Sequence, residues 1–359
     1  MSATDGLIHA VSQRLHTFLT EQSSAEFGAE AEMLFRQAQS ATSGGKRLRA
    51  RFCIAGWQAV GGSDILTDPD THRLIGLAAA LELFHAAALV HDDVIDNSAT
   101  RRGQAAAHHA LASAHREALW AGDPDAFGIS AAILLGDLLV AWSDDLFEQT
   151  LTDVPGPDAV RQEYARMRSE VTIGQFLDIA EESAFRVAAE HTHVERALRV
   201  ATLKSARYSV QRPLAIGAAL AGASSTQQDA LAEYGLPIGI AFQLRDDLLG
   251  VFGLASETGK PSGDDLREGK RTVLIAYTRE ALSASARHLF DELVGDPTLD
   301  ATQIASLQRT IADSGAVQRV EDLISRYAKQ AELALTRPEL TASADVLRAL
   351  GAAATTRVT

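Results

Sequence analysis

Cysteine is almost missing. Cys53 is the only one in 359 residues, which excludes an internal disulfide and a cysteine-built zinc site and fits a reducing compartment. Basic residues are also in deficit: 33 Lys and Arg face 47 Asp and Glu, a net charge of −14. Nucleic acid and anionic membranes both call for a basic face, so neither is an expected partner, although local basic clusters are not excluded. The nine prolines are unevenly spread, and none precedes Pro69. Two-residue alternation is not sustained anywhere, so long β-strands are not expected. Met1–Asp5 lacks the basic stretch that opens a signal peptide. The apolar stretch Leu74–Val90 carries Glu82 and His85, and Ala126–Trp142 is broken by Asp137, so the latter falls short of a membrane span. These absences together lead to the expectation of a soluble, cytoplasmic protein.

What is present points to helices. Hydrophobic residues make up 46% of the chain, enough to bury a sizeable core. Leu7, Ile8, Val11, Leu15, Phe18 and Leu19 recur at three- and four-residue steps, as do Leu74, Leu77, Leu81 and Phe84. Breaks fall at Ser43-Gly44-Gly45, Gly61-Gly62-Ser63, Gly122-Asp123-Pro124, Pro155-Gly156-Pro157 and across Gly253–Gly269. No linker or fixed-period repeat divides the chain. The spacing predicts one all-α domain over 1–359, with a split near Pro155–Pro157 as the alternative. The ends, about 1–5 and 352–359, are expected to fray.

Two acidic clusters carry the chemistry. In His91-Asp92-Asp93-Val94-Ile95-Asp96, Asp92 and Asp96 lie one helical turn apart and share a face. Carboxylates that close repel unless something compensates them, and an all-oxygen set suits a hard cation such as Mg²⁺. The alternative is a solvated helix end. A second cluster, Phe242-Gln243-Leu244-Arg245-Asp246-Asp247, also follows an apolar helical run. Two acidic helix walls of this kind could hold several Mg²⁺ ions and a polyphosphate; a capped, exposed helix end is again the alternative.

Basic residues accompany both clusters. Gly44-Gly45-Lys46-Arg47-Leu48-Arg49 places Lys46 and Arg49 three apart at a predicted helix start, a natural anion site. Arg101-Arg102-Gly103 follows the first acidic cluster. Lys204-Ser205 interrupts an apolar run, and Gly259-Lys260 and Gly269-Lys270 lie in the late break. His85 precedes Asp92 by two turns, roughly 10 Å along a helix, where it could donate to a diphosphate or serve as a satisfied core histidine. Gln175 and Asp178 either line the same cavity or bridge two helices, because buried polar groups need partners.

With these elements in place, over about residues 44 to 272, the sequence resembles the trans-prenyl diphosphate synthases. The resemblance implies an antiparallel helical bundle around a central cavity, a homodimer, and a role in isoprenoid biosynthesis: Mg²⁺-assisted, head-to-tail condensation of isopentenyl diphosphate with an allylic diphosphate. It implies that Asp92, Asp96 and Asp246 are metal ligands, for three Mg²⁺ ions per site. Arg101, Lys204, Gln243 and Lys260 would contact the allylic diphosphate, and Lys46, Arg49, His85 and Arg102 would hold isopentenyl diphosphate. Ser205 and Lys270 join the substrate-binding set, and Asp92, Asp96, Arg101, Lys204 and Asp246 the catalytic one. By the same analogy the apolar segment Ile129–Trp142 joins the dimer interface. The sequence departs from the family at Gly250, where the second motif usually ends in an aspartate, which puts the tightness of the third metal site in question; Asp246 and Asp247 remain, so activity is expected to survive. Ala50 and Ser205 are milder departures from a proline and a threonine.

Product length is read from the residues before Asp92. Ala87 and Ala88, one turn earlier, are small and leave a tunnel open; Phe84, a further turn of about 5.4 Å down, could form its floor. That favours geranylgeranyl diphosphate (C20) over C15, with a longer product if Phe84 points into ordinary core. A class I terpene cyclase is a competing reading, but cyclases usually carry an Asn/Asp-Ser-Glu triad on the opposite wall and need no Lys-Arg-x-Arg element. A non-catalytic prenyl-diphosphate-binding subunit would be expected to lose the acidic motif or Arg101-Arg102, and both are intact.

Overall fold

The structure, a computed structural model, describes residues 3–63, 65–253 and 262–355. It is all-α, and its described residues fall into two compact units, Met1–Pro157 and Asp158–Thr359.

The first unit contains α1 (Ala3–Gln22), α2 (Glu32–Thr42), α3 (Leu48–Ala59), α4 (Pro69–Ile95), α5 (Ala107–Glu117) and α6 (Pro124–Leu151). The two long helices start in the same way. Asp68 and Asp123 are the caps, each accepting the backbone N–H two residues on at 2.9 Å, and each is followed by a proline in the first helical position. α4 packs against α6 and is flanked by α1, α2 and α3. The three- and four-residue spacing of α1 buries Leu7, Val11, Leu15, Phe18 and Leu19, with Ile8 half-buried. Ser143 on α6 is fully buried and donates to the Ala80 carbonyl of α4 at 2.8 Å, so the contact between these helices includes a satisfied polar pair.

α4 and α6, of 27 and 28 residues, are both long and apolar enough to cross a membrane by length and composition alone. This corrects the shorter span expected for 126–142: one aspartate, Asp137, does not interrupt a helix that runs the whole way from Pro124 to Leu151. The apolar window of α4 is 78% buried within the protein, that of α6 only 39%.

The second unit begins with α7 (Asp158–Ala184). α8 (His193–Val200) then runs without interruption through a π-helical segment, Ala201–Gln211, into α9 (Arg212–Leu220). Pro213 lacks the N–H that would complete an α-ladder at this junction. Two glycines let neighbouring backbones approach the segment. A Cβ on Gly174 of α7 would lie 2.4 Å from the Lys204 nitrogen, and one on Gly239 would lie 2.5 Å from the Ala206 carbonyl oxygen. Arg212 bridges Glu163 and Glu170 of α7, at 2.8 and 2.7 Å. Burial of the Glu170 carboxyl pushes its pKa up, but Arg212 and Arg207 outweigh this and hold it below the usual range.

α10 (Ser225–Phe252) starts in a capping box between Ser224 and Gln227 and packs against the π segment and the Ala316–Ala334 helix. Shorter helices follow at Asp264–Glu268, Val273–Ala281, Ala284–Leu293 and Ala301–Asp313, and the last is Ala344–Thr355. Leu244, Leu248, Val273, Leu274, Ile311 and Val320 sit at the centre of this core. Of the ends, about 1–5 and 352–359, residues 3–5 and 352–355 are helical, and 1–2 and 356–359 lie outside the described residues. At the C-terminal end Arg245 explains the helix: its Nε donates to the Thr355 carbonyl at 3.2 Å.

Candidate active site

In the first unit, three elements converge on the C-terminal half of α4. The loop into α3 has left-handed backbone at Gly44, Gly45 and Arg47, with φ of 67°, 81° and 51°. The helix begins at Leu48, so Lys46 lies outside it, exposed, while Arg49 is in its first turn and buried. The predicted helix N-terminus is already engaged from within. Ala50 N–H donates to Glu82 Oε1 at 3.0 Å, and the other Glu82 oxygen is 3.7 Å from Arg47.

Arg101 and Arg102 lie on a two-residue hairpin, Thr100–Arg101 pairing with Gln104–Ala105. Its turn residues, Arg102 and Gly103, have φ of 52° and 75°, as a mirror-image turn requires. Arg101 Nε donates to Asp93 Oδ1 at 2.9 Å, and its Nη2 lies 3.7 Å from Asp92 Oδ2. Asp93, in the middle of the motif, is thus buried and anchors Arg101 beside Asp92. Asp96 is the residue at which α4 ends; its N–H donates to the Asp92 carbonyl at 2.8 Å. Arg102 Nη1 donates to the Ser43 carbonyl at 2.6 Å, tying the hairpin to the glycine loop. A cavity of about 330 Å³ opens here, lined among others by Ser43, Gly44, Gly45, Asp93, Arg101 and Arg102.

His85 is half-buried in this surrounding. Burial, followed by the positive charges of Arg49, Arg102, Arg101 and Arg47, holds its pKa well below the ordinary value. The same charges make the locality strongly attractive to an anion. Phe84, Ala88, Asp92 and Asp96 recur every four residues along one stripe of α4. Ala87 is fully packed, Ala88 is partly open, and Phe84 is buried, at 6% exposure.

The second unit gathers the later motifs. Lys204 Nζ donates to Asp178 Oδ2 at 2.6 Å, and Lys270 Nζ lies 3.6 Å from the same oxygen. Asp178 therefore bridges helices, as one of its two readings has it. Gln243 Nε2 donates to Asp247 Oδ1 at 2.6 Å. Burial pushes Asp247 well above the ordinary carboxylate range; the Gln243 bond opposes this, and the charges of Asp265, Asp246 and Asp178 add to it. Ser205 and Gln175 are half-buried. Lys260 lies outside the described residues.

The donor chemistry fits magnesium. Among the described residues no three His, Cys, Asp or Glu side chains form a ready-made cage. Mg²⁺ is commonly held by one or two carboxylates, with water and substrate phosphate completing the shell, and the Asp92–Asp96 pair suits that pattern.

Carboxylates suited to a hard cation stand beside a dense guanidinium cluster on a helical scaffold, the chemistry a polyphosphate calls for. The family described as polyprenyl synthetase matches residues 31–311. A geranylgeranyl diphosphate synthase of Sulfolobus acidocaldarius is 30% identical over 292 residues, 81% of this chain and 79% of its own. A short chain isoprenyl diphosphate synthase of Methanothermobacter thermautotrophicus is 32% identical over 273 residues, 75% of this chain and 74% of its own. The crystal structure of a geranylgeranyl pyrophosphate synthase from Corynebacterium glutamicum, complexed with isoprenyl diphosphate and magnesium, is 38% identical with a TM-score of 0.91, covering 100% of both chains. The chain belongs to the polyprenyl synthetase family and is an enzyme, a trans-prenyltransferase.

Proposed function

We propose that the enzyme condenses isopentenyl diphosphate head-to-tail with an allylic diphosphate to give geranylgeranyl diphosphate. The observation that carries this reading is the placement of His85 among Arg47, Arg49, Arg101 and Arg102, on the helix that ends in Asp92 and Asp96. Lys46, Arg49, His85 and Arg102 bind the diphosphate of isopentenyl diphosphate. Arg101, oriented by Asp93, and Lys204, oriented by Asp178, bind the allylic diphosphate together with Gln243 and Lys260; Ser205 and Lys270 add polar contacts. Asp92, Asp96 and Asp246 hold magnesium, three ions per site. The bound ions supply electrostatic stabilisation of the negative charge that develops on the leaving pyrophosphate.

The chain's own cations act in the same direction. They meet charge that grows as the allylic C–O bond breaks, so they stabilise the transition state more than the ground state. The carbocation needs a dry wall, which Ala88 and Phe84 begin to supply. The isopentenyl double bond attacks C1 of the allyl group, and the proton then lost goes to pyrophosphate; no side-chain nucleophile takes part. Phe84 as a floor one turn below Ala88 supports a C20 product, as do the relatives that make geranylgeranyl diphosphate.

The enzyme works in the cytoplasm as a homodimer without a membrane span. Ile129, Ile133 and Leu134 on α6 are 44%, 44% and 63% exposed, an apolar face suited to a second copy.

Incubation with Mg²⁺, labelled isopentenyl diphosphate and dimethylallyl, geranyl or farnesyl diphosphate, followed by chromatography of the hydrolysed products, tests the reading. Geranylgeraniol is the expected end product; no labelled prenyl alcohol from any starter overturns the reaction, and a dominant C15 or C25 product overturns the chain length.

A further inference from the structure

Lys270 and Arg271 are consecutive residues, and both reach α7. Lys270 Nζ lies 3.6 Å from Asp178 Oδ2, and the central carbon of the Arg271 guanidinium lies 3.5 Å from the centroid of the Phe185 ring. Asp178 and Phe185 are seven residues apart, two turns and roughly 10 Å along one helical face. Phe185 follows the last residue of α7 and continues its ladder, its N–H donating to the Glu181 carbonyl at 3.1 Å. The backbone of the pair is pinned as well. Lys270 N–H donates to the Asp265 carbonyl at 3.1 Å, and Arg271 Nη2 donates to the Val294 carbonyl at 3.0 Å. A Cβ on Gly269 would lie 2.9 Å from Gly295 Cα.

Arg271 is a costly residue to bury. Its side chain is 9% exposed, and its Nε and Nη1 have no hydrogen-bond partner among the described residues. Asp291 is engaged by Arg279, at 2.7 and 2.9 Å, and its Oδ1 stays 3.9 Å from Arg271 Nη1. Burial pushes the Arg271 guanidinium down to about 10; Asp291 opposes this, and the charges of Arg279 and Arg186 add to it. An apolar side chain of similar volume would fill the place at no loss to the fold, so stability alone does not account for an arginine here. What arginine offers is a rigid, planar cation suited to an aromatic face.

We infer that Arg271 is a positioning residue: held on Phe185, it fixes the backbone from which Lys270 reaches Asp178 and the substrate diphosphate; this rests on the function proposed above. Lysine carries its ammonium on a flexible four-carbon stem, so its placement depends on where its backbone is held.

The test is steady-state kinetics of the full chain with isopentenyl and farnesyl diphosphate, read beside the melting temperature. Arg271→Met is expected to raise KM for farnesyl diphosphate about tenfold. Its kcat and its KM for isopentenyl diphosphate stay near wild type, and it melts no lower than wild type. Arg271→Lys, which keeps the charge without the planar group, shares the defect, as does Phe185→Leu. Lys270→Ala raises the same KM, and adding Arg271→Met to it changes nothing further, because the effect runs through Lys270. A wild-type KM in Arg271→Met or Arg271→Lys, a double variant worse than Lys270→Ala, or a lower melting temperature with both KM values raised overturns the inference and leaves the proposed function standing. Lys270→Ala with a wild-type KM removes Lys270 from that function and overturns the inference with it. A wild-type enzyme that forms no prenyl product overturns both.

Discussion

The Glu82 carboxylate accepts the Ala50 N–H at 3.0 Å and thereby fastens the first turn of α3 to the middle of α4. Its second oxygen faces Arg47, a residue in left-handed backbone, at 3.7 Å. Both side chains are almost wholly removed from water. Removing one partner of a buried pair leaves the other uncompensated, so Glu82→Ala is expected to cost about 3–5 kcal/mol in denaturant unfolding. Glu82→Gln, which keeps an acceptor for Ala50, should cost less. Equal unfolding midpoints for wild type and Glu82→Ala would show that the glycine loop is held by other contacts.

His85 predicts a pH dependence of known sign. Burial and the four neighbouring arginines depress its pKa below the ordinary 6.5, so the folded chain keeps it neutral where the unfolded chain protonates it. Unfolding then takes up a proton. The stabilisation is fully present above the unfolded value and is lost as pH falls below it, by up to about 1.4 kcal/mol per pH unit. Melting curves of wild type and His85→Gln should converge as pH drops from 7 towards 5. Parallel curves would remove His85 from the account.

Phe84→Ala should lengthen the product. The substitution opens the stripe below Ala88 by the volume of one aromatic ring, about one further isoprene unit along α4. The assay is product chain length with farnesyl diphosphate as starter. A distribution identical to wild type would place the floor on another helix.

Gly174→Ala should unseat the π segment. The added methyl meets the Lys204 backbone at 2.4 Å, and backbone cannot rotate away as a side chain would. Overpacking of this kind costs about 1–3 kcal/mol. It should also stretch the Asp178–Lys204 pair, one turn further along α7, and lower turnover along with stability. A variant as stable as wild type would mean that the two helices separate freely.

Much of this was readable from local signals. Asp-Pro pairs mark the starts of α4 and α6 because cap and first-turn chemistry is contained in adjacent residues. The four-residue stripe through Asp92 and Asp96 follows from helical period alone. What depends on distant neighbours was not readable. The π segment depends on backbone contacts with Gly174 and Gly239, and nothing between Ala201 and Gln211 signals it. In sequence Glu82 is an interruption of an apolar run; its partners lie 32 residues and more away. Gly250 reads as a loss until Asp265, from the stretch between Gly259-Lys260 and Gly269-Lys270, is found in its space. Asp93 and Asp92 are indistinguishable by type, and only the hairpin that brings Arg101 back onto α4 assigns them separate tasks.

The most direct test of the central claim is the rate of condensation of isopentenyl diphosphate with farnesyl diphosphate by Asp92→Asn and Asp246→Asn, with helical content checked by circular dichroism. Each variant should keep its fold and lose at least about a hundredfold in turnover at saturating Mg²⁺. A folded Asp92→Asn or Asp246→Asn enzyme working near the wild-type rate would contradict a mechanism built on these two carboxylates.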